Sequence, residues 1–130
     1  MSEWWSHVKH FSKGEFACKC GCNLVEMDKA FVLRLDQLRD RLGTPLMVSS
    51  GYRCPEYNDK ISSTGLDGPH TTGHAADLRV MGHDAYRVLT RASELGFTGI
   101  GVAQKGQGRF LHLDDLPPHQ GRPRPWVWSY

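Results

Sequence analysis

The clearest periodic signal lies between Asp28 and Leu42, where Phe31, Leu35, Leu38 and Leu42 recur at steps of four, three and four, one stripe of an α-helix. Asp28 is placed to cap its start and Gly43 to stop it. Burying four such side chains contributes ~1.5 to 3 kcal/mol each, so this helix reads as scaffold. A second stripe, Ala85, Val88, Leu89, Ala92 and Leu95, predicts a helix over 83–95 that ends at Gly96. Between the two helices, residues 46–50 read as a short buried strand running into the turn-rich Gly51-Tyr52-Arg53-Cys54-Pro55, and residues 56–61 as a short helix. Residues 75–80 alternate, with Ala76, Leu78 and Val80 on one face and Ala75, Asp77 and Arg79 on the other. Residues 98–103 and 109–114, joined by a glycine-bearing turn, predict a hairpin with Phe110, His112 and Asp114 on one face. The sum is an α+β fold, a small antiparallel sheet flanked by helices, in one domain over residues 1–130.

Two flanks frame that domain. Residues 1–25 form an aromatic and Cys-rich arm whose Trp4, Trp5, Phe11 and Phe16 are expected to pack on the core. Residues 116–130 form a Pro-rich tail, with Trp126-Val127-Trp128 expected to return as an edge strand over the core.

Composition narrows the classes of function. A chain of 130 residues is large enough to bury about two-thirds of its unfolded surface. Its net charge of +2 comes from scattered Lys and Arg, so there is no nucleic-acid footprint. No apolar run approaches the ~18 residues of a membrane span, and Met1-Ser2-Glu3-Trp4-Trp5 lacks the basic-then-apolar order of a signal peptide. A monomer made in the cytoplasm is the expectation.

Cys18, Cys20 and Cys22 alternate, with Cys54 apart. On an extended strand those three would share a face. Structural zinc sites usually space their cysteines by two to four residues, so buried thiols or one bridge to Cys54 are expected here before a thiolate metal site.

Chemistry concentrates in Gly68-Pro69-His70-Thr71-Thr72-Gly73-His74-Ala75-Ala76-Asp77. Polar groups at this density cost several kcal/mol when buried unless paired, and a metal ion offsets that cost. With His112 downstream, the chain offers two His and one Asp, which leaves a fourth zinc position open, the pattern of catalytic sites. His70, His74 and Asp77 also fall on one helical face. Yet Gly73 would cost such a helix ~1 kcal/mol, and Thr71 stands where the zinc-protease helix His-Glu-x-x-His needs its Glu. A loop followed by a strand is therefore expected. Arg53 ends a buried strand, where its planar fork suits a carboxylate or polarised carbonyl, with Glu56 or Asp59 as competing partners.

Ser50-Gly51-Tyr52-Arg53, His70-x-x-Gly73-x-Ala75-x-Asp77 and His112-x-Asp114 together resemble the zinc D-alanyl-D-alanine carboxypeptidase family, which includes peptidoglycan endopeptidases and has the Hedgehog/DD-peptidase fold. The most similar members are the small ones common in bacteriophage and prophage genomes, and the similarity runs from about Phe16 to Asp114. The resemblance implies one catalytic Zn2+ held by His70, Asp77 and His112, with Arg53, Ser50 and Tyr52 at the substrate. It implies a metallopeptidase of the D,D-carboxypeptidase or endopeptidase type, cutting peptidoglycan peptides through a metal-activated water. Such a protein would reach the cell wall after release or as part of a phage particle. The alternative is a non-hydrolytic peptidoglycan-binding or phage-particle structural module that retains the metal site.

Two positions depart from the family pattern. Gly68 stands where the motif carries Ser, and Arg109 stands where many members carry a catalytic Glu or Asp, although Arg cannot accept a proton. Asp114 is then the candidate base, or else the group that orients the His112 ring. Asp114, His74 and His119 are the candidates for protonating the leaving amine.

Overall fold

Asp28 caps helix α1 (Lys29–Leu42) in the computed structural model, which describes residues 4–130: its carboxylate accepts the Phe31 N–H at 3.0 Å. Gly43 ends the helix at φ 68°, a left-handed turn that only glycine adopts freely. The predicted stripe is buried, and Val32 joins it. Asp36, also buried on α1, accepts the backbone N–H groups of Lys9 and His10 at 2.8 Å each. These two bonds fasten the arm, so Phe11 and Phe16 enter the core while Trp4 and Trp5 pack against it, their rings stacked at 4.4 Å. Residues 1–3 of the arm lie outside the described residues.

The sheet is five-stranded, in the order β1 (Val48–Ser50), β2 (Ala75–Leu78), β4 (Phe110–Asp114), β3 (Gly99–Ala103) and β5 (Trp126–Ser129). Its pairs are antiparallel except β3 with β5, which run parallel. The α+β expectation holds, with that one parallel edge added. The core lies on one face, where Ala76, Leu78, Leu111 and Leu113 meet α1 and α3 (Gly82–Ala92). Leu89 does not belong to it: the residue sits at the outer margin of the α3 stripe and is 37% exposed.

Because side chains alternate along a strand, the residues between those core positions face the other way. Asp77 on β2 is the register partner of His112 on β4, and His112 in turn is opposite Gly101 on β3. The tail returns as the edge strand expected, but its side chains sit differently. Trp126 and Val127 are exposed, and Trp128 packs on Gly101, where a Cβ would come 2.7 Å from its ring. Trp128 thus packs against His112, its ring centroid 5.0 Å from the imidazole and tilted by 53°, and β5 does not lie over the core.

Cys18, Cys20 and Cys22 do not lie on a strand either. Their segment turns at Gly21 (φ 100°) and Asn23 (φ 62°), and none of the four cysteines is in a disulfide. Residues 55–61 form α2 (Pro55–Ile61), which buries Asn58.

Candidate metal centre

His70 sits in a 3₁₀ turn, Pro69–Thr71, between two glycines. Gly68 has no room for a side chain, since a Cβ there would come 2.7 Å from the Asn58 amide nitrogen and also run into Thr64. This explains why Ser is absent at 68. Gly73, at φ 80°, reverses the chain into β2 and is pressed against the backbone of Glu26. The loop after β1 holds His70 at both levels: Gly51 O lies 2.8 Å from His70 Nδ1, and the Arg53 N–H donates to His70 O at 3.0 Å. A carbonyl only accepts, so Nδ1 carries the proton and Nε2 keeps its lone pair.

The same logic fixes the second imidazole. His112 Nε2 lies 2.8 Å from Asp114 Oδ2, and a carboxylate partner makes Nε2 the donor and leaves Nδ1 as the free lone pair. His112 Nδ1 is 3.3 Å from Asp77 Oδ1, and His70 Nε2 is 3.2 Å from the same oxygen. Neither approach is aligned as a hydrogen bond: Asp77 Oδ1 and His112 Nδ1 are buried and unpartnered. Ligands ~2.0–2.1 Å from a tetrahedral zinc stand about 3.3 Å apart, so spacing and donor types both fit that ion. His70 Nε2, Asp77 Oδ1 and His112 Nδ1 could hold it with one position open.

Charge at this point is balanced by packing. Burial pushes the Asp77 carboxyl up, but the His112 and His70 imidazoles outweigh it and hold the group well below the usual carboxylate range. Burial lowers the His112 pKa, yet Asp114 and Asp77 raise it further, for a net upward shift. For Asp114 burial also acts upward, and His112 and Arg124 overcome it to leave the carboxyl at about 2.

The expected site residues separate into two groups. Arg53, His70, Asp77 and His112 line one cleft of ≈ 860 Å3, with His119 and Trp128 in its wall. Arg53 reaches Asp77 Oδ2 at 3.6 Å and is braced by Ser50 Oγ and Asn58 Oδ1 at 3.2 and 3.0 Å, so its partners are neither Glu56 nor Asp59. Ser50 therefore positions Arg53 and is not part of the cleft lining. Tyr52 is turned into the core, because its N–H bonds Phe16 O at 2.9 Å and lays this loop along the arm. That geometry keeps Tyr52 out of the cleft lining.

Asp114 is 0% exposed and outside the cleft lining. Arg124 grips it with two bonds, Nε to Oδ1 at 2.9 Å and Nη2 to Oδ2 at 2.8 Å, and Gly99 packs against it. With both oxygens engaged by Arg124 and one also by His112, Asp114 is turned away from the cleft and is placed to orient the His112 ring. His74 lies elsewhere, with Nδ1 2.8 Å from Asp115 Oδ1 and Nε2 3.8 Å from Asp28 Oδ1. Arg109 folds onto the hairpin turn, donating to Gly106 O at 2.9 Å.

Reading along the chain missed Arg124, Asn58 and Trp128. Trp128 had one legible sign, the glycines at 99 and 101. Two missing side chains on the face of a strand leave room for large neighbours, here the Asp114–Arg124 pair and an indole.

The ligand atoms of a buried His, Asp and His converge at the floor of a cleft beside an arginine, and such a set fits a single metal ion. The model of the Peptidase M15 family matches residues 9–114, and the chain belongs to that family of zinc-dependent peptidases. Comparison with curated proteins gives no match.

Proposed function

We propose that the protein is a zinc peptidase that hydrolyses a peptide bond in peptidoglycan, with His70 Nε2, Asp77 Oδ1 and His112 Nδ1 as its metal ligands. The observation that carries this reading is the pair of buried, unpartnered atoms, Asp77 Oδ1 and His112 Nδ1, converging beneath an open cleft. Each such atom costs ~1–3 kcal/mol when left unsatisfied, and a bound cation removes that cost. Zinc supplies Lewis acidity there, polarising a carbonyl and making water nucleophilic at neutral pH.

The remaining work belongs to the chain. Arg53, held by Ser50, Asn58 and Asp77, presents a fixed cation beside the ligand trio for a substrate carbonyl or carboxylate. His119 is the imidazole of the cleft lining outside the trio and gives the proton that the leaving amine needs. Arg53 and Arg122 stand in the cleft lining, and these two cations suit a short peptide with free carboxylates. Peptidoglycan stem peptides have that chemistry. The enzyme then works on the wall after release or as part of a phage particle, and a single chain carries the whole ligand set.

The test is mass spectrometry of soluble fragments released from purified peptidoglycan by zinc-loaded protein, with chelated protein and His70→Ala beside it. Chelator-sensitive fragments, absent with His70→Ala, are expected, and their new termini name the bond cut. Absence of fragments from several wall chemotypes while zinc stays bound would favour the non-hydrolytic binding module.

A further inference from the structure

Four thiols with unremarkable sequence spacing meet in space. After Cys18 the chain turns back at Gly21 and Asn23, and the Cys18 N–H closes on Leu24 O at 2.9 Å. This loop carries three sulfurs towards Cys54, at the end of the loop that follows β1. The four Sγ atoms all lie within 4.8 Å of one another, with Cys18–Cys20 at 3.5 Å and Cys20–Cys54 at 3.7 Å. A disulfide would bring a pair to ~2.05 Å, whereas four sulfurs ~2.3 Å from a tetrahedral zinc stand about 3.8 Å apart.

We propose that Cys18, Cys20, Cys22 and Cys54 bind a second zinc ion in a closed, structural tetrathiolate site. The Cys54 N–H already points at Cys18 Sγ from 3.3 Å, the kind of donor that supports a metal-bound thiolate. Cys18 and Cys54 are buried and Cys20 and Cys22 are exposed, which gives the ion a way in from solvent. All four positions are filled by protein sulfur, so the site offers no place for substrate.

Its position gives it a task. Gly51 is pressed on Phe16, where a Cβ would come 2.6 Å from the Phe16 Cα, and Tyr52 bonds Phe16 O. A zinc ion joining 18–22 to Cys54 locks the arm to the loop that supplies Gly51 O to His70 and carries Arg53. The thiolate site thereby holds the frame of the candidate catalytic centre without taking part in its chemistry.

Metal analysis of the full chain, purified with zinc under reducing conditions, tests this. Two zinc ions per chain are expected, falling to one in His70→Ala and to one in the Cys20→Ser/Cys22→Ser double variant, which changes only the exposed pair. Cobalt added to metal-free protein should give intense thiolate charge-transfer absorption, kept in His70→Ala and lost in the double variant. If the double variant does not fold, the cobalt spectrum of His70→Ala decides alone. One zinc per chain with none in His70→Ala, or cobalt binding without thiolate absorption, would overturn the proposal. So would disulfides that, once reduced, yield four thiols taking up no metal.

Discussion

His112 can offer Nδ1 to a metal because its other nitrogen is taken by Asp114, and Asp114 stays in place because Arg124 holds both its oxygens. Removing such an outer partner generally costs ~10- to 100-fold in metal affinity. Asp114→Asn, which keeps the shape, should therefore weaken zinc binding at the His/Asp centre by about that factor, measured by chelator competition. Arg53→Lys tests a different property. A lysine cannot span Ser50, Asn58 and Asp77, so it loses charge-assisted bonds worth ~1.5–3 kcal/mol. Fragment release should fall roughly 10- to 100-fold, with the zinc content unchanged. At this scale the sequence was informative where chemistry is local. His70 and Asp77 stand in one short polar stretch and His112 in a later strand pattern, whereas Arg124 is one arginine in a basic tail, and its partner Asp114 lies ten residues earlier on β4. The burial of Tyr52 was hidden for a related reason: its direction is set by Phe16, far from it in sequence.

Helix α1 was legible because cap, stripe and stop agree with one another. Phe31, fully buried and edge-on to Phe97 at 5.9 Å, anchors it. Phe31→Ala should cost ~3–5 kcal/mol, read as a lower denaturant midpoint with an unchanged slope. The parallel β3–β5 pair was not legible, since strand direction there is decided by the path of residues 115–125 and not by any pattern within Trp126–Ser129. Gly101 is the joint between those strands. Gly101→Ala places a methyl group against the Trp128 ring, so Trp128 must move off His112. Fragment release should drop while the bulk of the fold, followed by far-UV circular dichroism, remains.

The sheet divides its duties by face: aliphatic side chains of β2 and β4 point to the helices, and Asp77 and His112 point to the cleft. Alternation made that division visible in the sequence. The meeting of the four cysteines was invisible, because it depends on two left-handed turns and on where the loop after β1 lies against the arm. A ligand that binds only the native state adds to stability, by ~4 kcal/mol at a thousandfold excess over its dissociation constant. Chelation should accordingly lower the melting temperature of the wild type, and by less in His70→Ala, where one of the proposed ions is already gone.

The direct pairing of Asp77 with His112 carries a further meaning for how the chain finds its fold. Sliding β2 against β4 by one residue would turn one of these side chains into the oil and bring an aliphatic group out in its place. Such a misaligned sheet could not assemble the trio. Zinc would then act as a proofreader of strand alignment, rewarding the one pairing that completes its shell and leaving slipped forms free to unpair and try again.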